Sequence, residues 1–211
     1  MKKSFRTIYA LTGAVTGWTA LTLQLCLVIA HRKFPLFETV VHFFSYFTIL
    51  TNILAAGCFT ILALPESFRL RKRLSDAGTM TAVTAYILVV GLIYQIALRQ
   101  IWNPGGTQKI ANELLHSVAP LLFFLYWLVF VRKSTLSWRN IFTWLLYPLL
   151  YMAYIMTHGA ISGWYPYFFI NVSRLGYARV LLNSGIVCLV FITVFSLLIF
   201  IGRKAGIKKN T

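Results

Sequence analysis

Residues 177–201 read YARVLLNSGIVCLVFITVFSLLIFI, and after Arg179 no charged side chain appears until Arg203. A helix rises about 1.5 Å per residue, so about 20 such residues cross the roughly 30 Å hydrocarbon core of a bilayer. Five further stretches read the same way: 7–30, 36–64, 79–101, 113–131 and 140–158. Punctuation falls between them, with Pro35, Pro65 and the run Asn103, Pro104, Gly105 and Gly106. The sequence therefore predicts an all-α polytopic membrane protein, a single bundle of six transmembrane helices over residues 1–211.

Composition agrees with that reading. Of 211 residues, 59% are hydrophobic and only 11% charged, against the quarter or so of charged residues that a water-facing surface carries. Disorder, coiled coil and nucleic-acid binding are excluded on that ground. The net charge of +16 comes from short basic clusters between apolar runs, where it acts as a topology signal. Lys2, Lys3 and Arg6, then Arg69, Arg71, Lys72 and Arg73, then Arg132, Lys133 and Arg139, and finally Arg203, Lys204, Lys208 and Lys209 alternate with the spans. They put 14 of the 20 basic residues on one side, against Arg32, Lys33, Arg99, Lys109, Arg174 and Arg179. Both termini are expected in the cytoplasm, and the basic excess faces anionic lipid head groups.

The first apolar run is longer than that of a signal peptide and has its small residues inside it, so it reads as a retained helix. Gly13 and Gly17 form a small-xxx-small pair suited to close approach by a neighbour. Cys26, Cys58 and Cys188 fall inside spans without metal or pairing spacing and read as packing residues.

Polar groups in hydrocarbon are costly, so those inside spans are the functional candidates. Glu38, Glu66, Asp76 and Glu113 are the only carboxylates, and all are expected at or beyond helix ends. Proton relays built on acids, carboxylate metal cages and paired-carboxylate chemistry lose their parts. Hydroxyl, amide and imidazole remain: Thr48, Thr51 and Asn52 in the second span, His116 in the fourth, Tyr151 and His158 in the fifth, and Asn183 in the sixth. His42, His116 and His158 could together hold zinc, but no pair has i, i+4 spacing and no HExxH occurs, so neither metal nor other cofactor is expected.

Thr48 precedes Pro65 by 17 residues and His116 precedes Arg132 by 16, so both lie about 24 to 26 Å above the inner edge, in one layer of the outer half. A hydroxyl beside a neutral imidazole is the minimum equipment for nucleophilic acyl transfer. With no acid to orient the ring, a dyad is the most the sequence offers. The bland readings stand beside it: threonine bonding back to its own helix, and histidine packing near the interface.

Phe47-Thr48-Ile49-Leu50-Thr51-Asn52 and His116-Ser117-Val118-Ala119-Pro120 resemble the androgen-induced protein family, most closely its bacterial six-span branch. The later stretches Tyr147-Pro148-Leu149-Leu150-Tyr151, His158-Gly159 and Gly163-Trp164-Tyr165-Pro166-Tyr167-Phe168 resemble that family's aromatic fifth helix and outer loop. Animal members are transmembrane threonine hydrolases of fatty acid esters of hydroxy fatty acids. The resemblance implies Thr48 as nucleophile and His116 as general base, with Thr51 the alternative in the same motif. Where the animal proteins carry an acidic residue near the threonine, this chain has Thr51 and Asn52.

The implied partners are membrane lipids and a fatty-acyl ester, and the implied location is the bacterial inner membrane. Asn52 and Asn183 are the amides suited to an oxyanion, His158 and Tyr151 are expected near the substrate, and residues 159–174 read as a lid. The competing class is a membrane protein that binds or transports a small lipid or solute with the same side chains. Oligomeric state is not legible.

Overall fold

The computed structural model describes residues 3–102, 104–133 and 135–207, with the side chains of Lys3 and residues 205–207 left aside. Asn103, Lys2, Lys208 and Lys209, named above for a turn and for topology, lie outside the described residues. Every regular element among the described residues is helical. Five helices are long and apolar enough to cross a membrane, or six if a bent pair forms one span.

Helix α1 runs Lys3–Ala30 and packs along α3, Phe47–Ala63. The contact depends on two missing side chains. A Cβ on Gly13 would stand 2.6 Å from the Phe59 ring, and one on Gly17 would stand 2.8 Å from Ala56 Cβ. The small-residue pair thus works as expected for helices meeting in lipid.

Helix α2, Leu36–Phe44, meets α3 at 69° across Ser45 and Tyr46. Ser45 turns its hydroxyl back onto the Val41 carbonyl, 2.8 Å away, and Tyr46 takes an extended backbone at φ −80°, ψ 128°. The second span is therefore not one continuous helix from 36 to 64. Its second half begins afresh at Phe47, and the first N–H groups of a helix have no carbonyl of their own turn to bond.

After the short basic α4, Arg69–Leu74, Asp76 caps α5, Ala77–Ile93, by accepting from the Gly78 and Thr79 N–H groups. Helix α5 continues into a π turn at Tyr94–Leu98. The fourth span starts at Gly106, seven residues earlier than the sequence predicts. It runs through α6, Gly106–Glu113, a second π turn at Leu114–Val118, and α7, Ala119–Phe130.

Glu113 is consequently inside a helix, not at its end. Its carboxylate is held by Arg99 at 2.8 Å and by the Ser117 hydroxyl at 2.6 Å. Helices α8, Asn140–Trp144, and α9, Leu146–Ser162, form the fifth span. Helix α10, Val172–Ile207, is the last and is kinked at Gly176 (φ 73°).

The core lies between α3, α5, α7 and α10, where Phe123, Tyr126, Trp127 and Phe195 are fully buried. Trp127 donates its indole N–H to Thr81 Oγ1 at 2.8 Å, so its one polar atom is satisfied there. By contrast, Leu149, Leu150 and Ile161 of α9 and Leu181, Leu182 and Leu189 of α10 point outward and exposed. In lipid such side chains have no reason to hide, since acyl tails are as apolar as leucine.

Candidate active site at a helix break

The break at Ser45–Tyr46 places Thr48 one residue inside a fresh helix end, facing the π turn that carries His116. Thr48 Oγ1 and His116 Nε2 are 3.5 Å apart. His116 Nδ1 lies 2.9 Å from the carbonyl oxygen of Asn112. A carbonyl only accepts, so Nδ1 carries the proton there and Nε2 is left as the acceptor toward Thr48. The backbone thus orients the ring in place of a carboxylate.

Tyr94, from the π turn of α5, stacks on the imidazole at 4.3 Å between ring centroids and 26° between planes. Its hydroxyl is bonded by Asn112 Nδ2 at 2.5 Å. Two π turns therefore face one another across the histidine, one supplying the ring and the other its stacking partner. Such turns recur at functional sites because they re-aim side chains. Pro120 fits the local cause, since it has no N–H to return to the His116 carbonyl four residues earlier.

Two cavities meet at Thr48. A vestibule of about 730 Å³ is lined by Thr48, His116, Tyr94, His42 and Trp164, with Arg32 and Lys33 at its edge. An inner chamber of about 110 Å³ is almost wholly apolar and is walled by Phe47, Val90, Tyr151, Met152, Val187 and Phe191. Thr48 and Tyr167 line both.

The segment between α9 and α10 closes over the vestibule. Trp164 stacks on buried His42 at 3.8 Å and 11°, and Tyr165 packs on the bare face of Gly159. The Tyr167 hydroxyl is 3.3 Å from the Thr48 backbone nitrogen and 3.5 Å from Thr48 Oγ1. Burial pushes the Tyr167 phenol above its ordinary pKa.

The remaining candidates fall in different places. Tyr151 walls the inner chamber and donates to the Ser45 carbonyl at 2.9 Å, which braces the helix break. Thr51 points to α9, with its hydroxyl 3.2 Å from that of Tyr147.

Asn52 is not placed to stabilise an oxyanion. Both of its N–H groups are taken, by the Thr48 carbonyl at 2.9 Å and the Leu115 carbonyl at 3.2 Å. Its Oδ1 is the one buried side-chain polar atom without a partner among the described residues, and an oxygen acceptor cannot steady a developing anion. Asn183 lines neither cavity and donates to the Phe169 carbonyl at 2.7 Å, where it pins the segment between α9 and α10.

His158 does not line the cavity that His116 lines. It edges a shallow depression with Tyr154, Thr157 and Ile161, and its ring is 6.3 Å from that of His42. Among the described residues no three His, Cys, Asp or Glu side chains converge as a metal site.

Sequence reasoning missed Tyr94 and Tyr167. Tyr167 stands in a run of loop aromatics indistinguishable from an interfacial belt. Tyr94 looks like any span tyrosine until its stacking partner is known. Compared with protein-family models, with curated proteins and with solved structures, the chain matches none of them.

Proposed function

We propose that the protein is a membrane hydrolase of fatty-acyl esters that works through an acyl-enzyme on Thr48, with His116 as general base. The topology that goes with this reading is six spans with both termini in the cytoplasm, in a bacterial inner membrane. The site then lies toward the outer face, near the depth of lipid ester carbonyls.

One observation carries the proposal: the 3.5 Å contact between Thr48 Oγ1 and the acceptor nitrogen of His116, set where a wide vestibule bordered by Arg32 and Lys33 meets a narrow apolar chamber. The contact is long for a hydrogen bond, as such contacts are before a bound substrate tightens the site. An acyl chain suits the chamber, and water suits the vestibule. Thr48 attacks the ester carbonyl, His116 takes its proton and returns it to the departing alkoxide, and water from the vestibule then releases the acid.

Turnover of simple and branched fatty esters, together with labelling by a fluorophosphonate probe, tests this. Wild-type protein is expected to hydrolyse the ester and to be labelled at Thr48, while Thr48→Ala and His116→Ala lose both and remain folded. Retained turnover in either variant rejects the dyad. Lipid binding or exchange by the wild type without labelling supports the carrier reading instead.

A further inference from the structure

We propose that Tyr167 is a third catalytic residue: its phenol O–H donates to the carbonyl oxygen of the ester as Thr48 attacks, beside the Thr48 backbone N–H. The inference rests on the hydrolase reading and adds to it the group that receives the developing negative charge.

Acyl transfer places that charge on an oxygen next to the nucleophile, and preorganised donors at this position are usually the largest single source of rate. Of the amides that sequence offers for the task, Asn52 has both N–H groups on the Thr48 and Leu115 carbonyls, and Asn183 is held on the Phe169 carbonyl and lines neither cavity. The Tyr167 hydroxyl is tied to no such carbonyl: its oxygen receives the Thr48 N–H, with Tyr151 and the Phe47 backbone beside it. It touches Thr48 at two atoms, 3.3 Å from the nitrogen and 3.5 Å from Oγ1, and Tyr167 lines both the chamber and the vestibule.

The Thr48 N–H is available because the 69° break makes Phe47 the start of a helix, where early N–H groups lack intrahelical acceptors. In the free protein this N–H rests on the phenol oxygen. With substrate present, both turn to the same carbonyl oxygen.

The phenol is held for the purpose. Its ring stands edge-on to Tyr46 at 5.6 Å and 88° and is stacked on Phe169 at 5.3 Å and 15°. The Phe169 carbonyl is in turn tied to α10 by Asn183. Burial raises the phenol pKa, so the hydroxyl keeps its proton at neutral pH and serves as a donor and not as a base.

In the step itself, Thr48 Oγ1 bonds to the carbonyl carbon and its proton passes to His116 Nε2. The carbonyl π pair moves onto oxygen, and the phenol and backbone N–H hold it by hydrogen bonds without giving up their protons. Collapse restores the carbonyl and breaks the bond to the alkoxy oxygen, which takes the proton from His116.

Tyr167→Phe keeps the ring and removes only the O–H. It is expected to lower kcat by about 10²- to 10³-fold, with KM close to wild type, a melting temperature lowered by loss of the Thr48 N–H bond, and Thr48 still labelled, more slowly, by the fluorophosphonate. Wild-type kcat in that variant overturns the inference, as does a raised KM with unchanged kcat, which marks a lid residue. Incorporation of 3-fluorotyrosine at 167 keeps shape and donor and is expected to retain turnover, even if the phenylalanine variant proves unstable; loss of turnover there also overturns it. Thr48→Ala separates the two claims: if it stays active the dyad itself fails, whereas a dead Thr48→Ala beside an active Tyr167→Phe removes only the tyrosine.

Discussion

Gly91 of α5 stands directly against His116: a Cβ on that glycine would lie 3.0 Å from the His116 carbonyl oxygen and 3.4 Å from the Pro120 ring. The π turn that aims the imidazole is thus seated against a neighbour with no side chain. Crowding this point moves the turn that holds the general base without touching any polar atom of the site.

Gly91→Ala is expected to lower kcat while leaving the melting temperature near that of the wild type. The better helix propensity of alanine, worth up to about 1 kcal/mol, offsets the crowding. Gly91→Val crowds more and is expected to cost about 10²-fold in kcat, the usual effect of an ångström of misplacement. Parallel thermal melts and turnover assays decide it, and equal activity in all three proteins would show that the turn tolerates displacement.

Tyr94 holds the histidine from below. Tyr94→Phe preserves the stack but strands the buried Asn112 amide, which otherwise bonds the tyrosine hydroxyl; a stability loss of about 1–3 kcal/mol is expected. Tyr94→Leu removes the stack as well, freeing the ring that Asn112 anchors at one nitrogen only. Activity should therefore fall further in the leucine variant than in the phenylalanine one, measured per folded molecule.

The membrane character and the approximate spans were legible because length and hydropathy are one-dimensional properties. So was the shared depth of Thr48 and His116, which follows from helix rise alone. Whether they face one another depends on rotation about each helix, and that is set by the break at Ser45–Tyr46 and by the π turn before Pro120. Sequence marks the latter only with a proline and the former not at all.

The start of the fourth helix escapes the sequence pattern for a different reason. Thr107, Gln108 and Lys109 look like loop, yet they form its polar first turn, where Gln108 Nε2 bonds Gln24 of α1 at 2.8 Å. With the helix starting later in the sequence pattern, Glu113 falls at a helix end and its pairing with Arg99 is not visible.

Gly159 sets the seat of the outer segment. The Tyr165 ring occupies the space where a Cβ at 159 would stand, and Trp164 and Tyr167 flank that ring in sequence. Gly159→Ala is expected to lift the segment, weakening the Trp164 stack on His42 and withdrawing the Tyr167 hydroxyl from Thr48. The expected result is a fall in kcat/KM together with faster quenching of tryptophan fluorescence by aqueous iodide. Unchanged quenching would mean that Tyr165 relaxes alone.

Asn52 offers the sharpest separation between holding a site together and taking part in its chemistry. Its amide clasps α3 to the π turn through the Leu115 carbonyl while its other N–H bonds back to Thr48 of its own helix, and a bond between helices of that kind is worth about 0.6–2 kcal/mol in a membrane. Asn52→Ala should therefore lower the melting temperature and reduce kcat modestly, because the two halves of the dyad lose a tether but keep their own side chains. A true oxyanion donor would behave oppositely, losing about 10²-fold or more in kcat at unchanged stability. Measuring both quantities in the same preparation distinguishes the outcomes, and a large kcat loss without a shift in melting would return Asn52 to the reacting centre.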